Sequence, residues 1–142
     1  MENRVLLSGL FVVVCFVADA YAFVVQDCKV AKGWASLERD DASSDIAIID
    51  LNVDDIVLGQ PFSFNFRLCQ NGAEKPDRVT ANATMPAHKH GMNYNPTVAF
   101  NADTGSFNIE DFVFHMPGEW EIAFSAYKGE MVSHYTKTVT VK

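Results

Sequence analysis

"PFSFNFRL", residues 61–68, alternates without a break, placing Phe62, Phe64, Phe66 and Leu68 on one side of an extended chain and Ser63, Asn65 and Arg67 on the other. A period of two over eight residues marks a strand with one buried face, because a helix would scatter the phenylalanines around its circumference. Outward from this stretch the same pattern recurs. "IAIIDLNV" (46–53) is rich in branched residues, and "VTANATM" (79–85) alternates again. "TVAF" (97–100), "SFNIEDFVFHM" (106–116), "WEIAFSAY" (120–127) and "MVSHYTKTVTV" (131–141) follow, separated by the turn sequences "NADTG", "PGE" and "KGE". About seven short strands, with Gly, Pro, Asn and Asp between them and no amphipathic helical pattern, predict an all-β chain folded as an immunoglobulin-like antiparallel β-sandwich. Trp120, Ile122, Phe124 and Ala126 share one face of their strand, which makes Trp120 the core's largest filler.

The amino terminus follows a different rule. One basic residue, Arg4, precedes an apolar run from Val5 to Val17, and small residues lead to Ala20-Tyr21-Ala22. That layout is a secretory signal peptide over residues 1–22, cleaved before Phe23. The alternative is an uncleaved anchor through residues 5–25, although the uninterrupted apolar run is shorter than the ~20 residues a span requires. An exported, periplasmic or extracytoplasmic protein is the expected setting, in contact with a membrane only if this segment stays attached. Residues 23–45 read as a polar lead-in with one helical turn, and residues 46–142 as the sandwich domain.

Removing residues 1–22 leaves 120 of the 142, enough for one domain with a single core. Acidic side chains fall from 18 to 16 and basic ones from 11 to 10, for a balance of −6. An acidic chain without a basic cluster is a poor partner for nucleic acid or an anionic membrane surface. Cys15 leaves with the signal segment, and its neighbours are not those of a lipid-attachment site. Cys28 and Cys69 remain, and in an exported domain they most simply form one disulfide. Closing a loop of about forty residues stabilises a fold by roughly 3 to 4 kcal/mol in the chain-entropy picture. A thiolate metal pair is the alternative, against which stand the lack of a close CxxC spacing and the distance of both cysteines from any histidine in sequence.

Chemistry is concentrated in two short stretches. "MPAHKHGM" (85–92) holds two imidazoles and two thioethers in eight positions, and "HMPGEW" (115–120) sets another histidine and methionine before a proline. Three of the four histidines and three of the four methionines of the mature chain fall there. If the first stretch is extended, His88, His90 and Met92 share a face, while Pro86 leaves the direction of Met85 open. On a straight strand His115 and Met116 point oppositely. With Phe112 and Phe114 facing the core, Met116 follows them inward, and a site at the end of the sandwich relieves the conflict.

Thioether sulfur is a soft neutral donor and imidazole a borderline one, so a set built from both, without carboxylates, favours copper, and Cu(I) over Cu(II). Zinc gains little from methionine, and calcium or magnesium would need oxygen ligands. The expected metal ligands are His88, His90 and Met92, joined by Met85, His115 and Met116. The competing reading takes both stretches as turns that happen to contain histidine and methionine. His134 and Met131 lie outside the cluster and read as surface and strand-end residues. The sequon Asn82-Ala83-Thr84 reads as a polar strand face.

"MPAHKHGM" followed by "FHMPGEWEIAF" resembles the pattern of the YtkA-like domain family, related to FixH-type accessory proteins. The resemblance spans residues 46–141, and its specific part lies at 85–92 and 112–124. The positions that match are Met85, Pro86, His88, His90, Gly91, Met92, His115, Met116, Pro117, Gly118 and Trp120. It implies an immunoglobulin-like sandwich and a role in copper handling, such as delivery to an acceptor like a respiratory oxidase subunit.

The function expected from the sequence is therefore an exported protein that carries or buffers Cu(I). The alternative is a non-metal β-sandwich interaction module of the cell envelope. An enzyme is not expected, because Ser133 and His134 on one strand point to opposite sides and offer no nucleophile beside its base.

Overall fold

The computed structural model describes residues 32–39, 46–69 and 75–142. Among the described residues ten strands lie in chain order: β1 (Ala35–Ser36), β2 (Glu38–Arg39), β3 (Ile46–Ile49), β4 (Phe62–Cys69), β5 (Arg78–Met85), β6 (His90–Gly91), β7 (Thr97–Asn101), β8 (Ser106–Phe112), β9 (Gly118–Lys128) and β10 (Met131–Val141). Three of them are two-residue strands, so the seven longer ones match the seven expected.

They form two five-stranded sheets, ordered β1-β3-β4-β8-β7 and β2-β10-β9-β5-β6, with every pairing antiparallel. Lettering β3, β4, β5, β7, β8, β9 and β10 from A to G gives A-B-E-D facing G-F-C, the immunoglobulin strand order, with β6 in the place of C′.

The alternation read at 61–68 holds: Phe64 and Phe66 are buried facing β9 and β10, while Ser63 is exposed. Phe66 of one sheet lies flat on Phe124 of the other, with ring centroids 4.4 Å apart and planes 14° from parallel. Phe64 meets Phe112 edge-on at 5.2 Å. Such aromatic pairs bury large apolar area, and their quadrupoles favour these geometries.

Several boundaries moved. The lead-in was expected to hold a helical turn; its described part instead holds β1 and β2, which pair with β3 in one sheet and β10 in the other. Between them Leu37 is buried and its N–H donates to the Ala47 carbonyl at 2.9 Å, so the chain steps across the sandwich there. The expected strand 46–53 stops at Ile49, and Val53–Asp55 form a 3-10 turn whose N-cap Asn52 accepts from the Asp54 N–H. The strand expected over 106–116 ends at Phe112, just after Asp111, whose φ of 60° turns the chain out of the pleat.

The expected signal peptide or anchor, and Cys28, fall outside the described residues. Among the described residues no helix is long and apolar enough to cross a membrane.

Candidate functional site

One end of the sandwich is where β5 finishes, β9 begins and the chain leaves β8, and there the two histidine and methionine stretches meet. Pro86–His88 form a 3-10 turn directly after β5, with proline at its start where a missing N–H costs nothing. Lys89 caps this turn in the left-handed conformation, φ 53° and ψ 36°. The segment is therefore not extended throughout, and the simple alternation expected for His88, His90 and Met92 fails at its first member. The turn leaves His88 exposed, and the chain re-enters the sheet at His90.

In the β5–β6 pairing His90 stands opposite Met85, and Gly91 opposite Thr84. Residues directly opposite one another share a face, so His90 looks inward on the side of buried Met85. Met92 continues that face, half-buried against the core, while its N–H donates to the Ala83 carbonyl at 3.1 Å. A side chain at Gly91 would approach the same carbonyl to 3.2 Å, which explains a glycine where β6 hugs β5.

The imidazoles converge. Ring centroids of His88 and His90 are 6.0 Å apart, and those of His90 and His115 are 5.3 Å apart. His115 is exposed, and Met116 is half-buried against the core, as alternation from Phe112 and Phe114 required. Met85 is 2% exposed and belongs to the core cluster, its terminal methyl pressed toward Gly118. Imidazoles are thus gathered at the surface, with Met92 and Met116 at the boundary and Met85 beneath. Among the described residues, no three or more histidine, cysteine, aspartate or glutamate side chains are grouped so as to hold a metal ion by themselves.

Two residues that the sequence reading did not assign to the site also shape it. Trp120, fully buried, meets His90 at 5.9 Å and His115 at 5.2 Å, nearly perpendicular to both, and its Nε1–H donates to the Met116 carbonyl at 3.0 Å. Tyr94, in the loop after β6, donates its hydroxyl to the Val113 carbonyl at 3.2 Å, tying that loop to the chain that carries His115. Partial burial pushes the Tyr94 phenol up; the Val113 contact opposes this and the Asp111 carboxylate adds to it. Position within a strand pattern signalled Trp120 as core; nothing in a single sequence signals which ring it touches.

The fourth histidine stands apart. His134, on the outer face of β10, accepts or donates at Nδ1 to Ser125 Oγ of β9 at 2.9 Å. Its neighbour Ser133 instead accepts from the Arg39 guanidinium at 3.1 Å.

Comparison with protein-family models, curated proteins and solved structures finds no match to this chain.

Proposed function

We propose that this protein binds Cu(I) as cargo, carrying or buffering it outside the cytoplasm, with His90 at the centre of the site. The observation that carries the reading is that the His90 ring meets both His88 and His115, with centroids 6.0 and 5.3 Å apart, the latter from a stretch that only the fold brings near. Met92, two residues after His90, and Met116, next to His115, are half-buried against the core, so the donors these two stretches offer are imidazole nitrogen and thioether sulfur. That set suits a soft monovalent ion and leaves a hard dication without the oxygen ligands it prefers. Exposed His88 can turn toward an ion at little cost in packing, which a carrier that must release its cargo requires.

The family resemblance to YtkA-like domains, export through residues 1–22, and delivery to an acceptor such as an oxidase subunit belong to the same proposal. So does a bridge between Cys28 and Cys69. Cys69, at the end of β4, would supply one half of that bridge. An oxidised cysteine suits a compartment where methionine, rather than thiolate, must supply the sulfur.

Titrating the purified protein with Cu(I) against a competing chelator tests this reading. One equivalent should bind, and the melting temperature should rise with free Cu(I), because a ligand selective for the folded state stabilises it by mass action. The second reading is a non-metal β-sandwich interaction module of the cell envelope. It is the reading left standing if the melting temperature does not respond.

A further inference from the structure

We infer that Trp120 is the positioning residue of the histidine cluster, holding His90 and His115 at a fixed separation and lying close enough to bound Cu(I) to report it optically. The inference rests on the copper reading and adds to it a residue that supplies no donor atom.

A single buried indole touches both imidazoles. It meets His90 at 5.9 Å with planes at 85°, and His115 at 5.2 Å with planes at 75°. Both are edge-to-face contacts, the arrangement ring quadrupoles favour. The indole itself cannot drift. It is fully buried, packs on Phe114 at 5.1 Å, and its Nε1–H is held by the Met116 carbonyl at 3.0 Å. That hydrogen bond also fixes the backbone of a proposed sulfur donor. Trp120 starts from β9, where it faces Val139 across the pairing with β10, so the plate is anchored in the sheet while the rings it touches sit at the sheet's end and beyond it.

The physical consequence is preorganisation. His90 stands on a two-residue strand and His115 on irregular chain, so neither position is rigid by secondary structure alone. Packing both against one immobile ring removes much of the freedom that metal binding would otherwise have to freeze out. The same proximity couples the indole's excited state to an ion held by those imidazoles. The other tryptophan, Trp34, lies under the Arg67 guanidinium at 4.9 Å and provides a separate signal.

Three measurements on the full chain test the role. In metal-free protein, NMR should show the ring protons of His90 and His115 displaced by the indole relative to His134, and Trp120→Leu should abolish the displacement. In a Trp34→Phe background, Cu(I) should quench the remaining fluorescence with the midpoint given by chelator competition. Trp120→Phe, which keeps an aromatic core but loses the second ring and the N–H, should weaken Cu(I) binding at least tenfold, while Trp34→Phe leaves it unchanged.

Wild-type affinity in folded Trp120→Phe overturns the positioning role and leaves the copper reading intact. If that variant does not fold, the Trp34→Phe protein decides alone, and Cu(I) binding without quenching overturns the inference. Absence of Cu(I) binding to the wild type, with the imidazole shifts present, overturns the copper reading and with it the proposed role of the indole.

Discussion

His90 and His115 lie with ring centroids 5.3 Å apart, one on the short strand β6 and the other on the irregular chain after β8. Neither neighbours the other in sequence or in a strand pairing. Their contact is made by the end of the sandwich, where both chains turn over the indole of Trp120.

Removing the central imidazole should hurt most. His90→Ala is expected to weaken Cu(I) binding about a hundredfold, roughly 2.7 kcal/mol, and His115→Ala or Met92→Ala about tenfold, roughly 1.4 kcal/mol. His134→Ala, whose ring contacts Ser125 on the outer face, should leave affinity unchanged. Chelator competition on the four variants measures this order, and an effect of His134→Ala as large as that of His90→Ala would contradict it.

Gly118 is required on two counts. Its φ is +131°, a region side chains avoid, and a Cβ there would come within 2.7 Å of the Met85 terminal methyl. Gly118→Ala should cost about 2 to 4 kcal/mol through backbone strain and overpacking together. Gly59→Ala, at φ +73° with open space around it, should cost only about 1 kcal/mol. Urea denaturation of both variants measures the two losses, and a loss for Gly118→Ala no larger than that for Gly59→Ala would contradict the account.

Phe66 joins the two sheets by stacking on Phe124 and is fully buried. Phe66→Ala should destabilise by about 3 to 5 kcal/mol. That is a large fraction of the 5 to 15 kcal/mol typical of a domain, so the variant should melt far below the wild type. A loss under about 1 kcal/mol would mean the inter-sheet core is not built as described.

At the opposite end, Asp77 accepts from the Gly129 N–H at 2.9 Å and from Lys128 Nζ at 3.3 Å, and these contacts hold its carboxyl below the ordinary carboxylate value. A pKa lowered by folding contributes stability above the unfolded value, and that contribution is lost as pH falls through the folded value. Melting temperatures of wild type and Asp77→Asn should therefore differ at neutral pH and converge in acid, once the pH has fallen through the lowered folded value. A difference that persists unchanged into acid would assign the effect to packing.

Much of the molecule was legible in its sequence. The alternation at 61–68 and at 120–126 named the buried faces correctly, because side-chain direction in a strand has a fixed period and burial selects one phase of it. The same rule predicted that Met116 follows Phe112 and Phe114 inward. Where chain geometry left the pleat, the rule stopped working. Lys89 in the left-handed region breaks the phase between His88 and His90, and Asp111 at φ 60° ends β8 early. Neither residue is glycine, so neither departure was visible in composition.

The sequence by itself determined a two-sheeted β architecture, the buried faces of strands such as those at 61–68 and 120–126, and the two stretches in which imidazole and thioether donors are concentrated, since all three follow from local period and residue chemistry. Only the tertiary structure decided that His90 faces inward beside Met85, that His115 reaches it, and that one indole supports both. These are relations between residues distant along the chain, set by how the sheets pack and where the strands end, and local sequence carries no term for them.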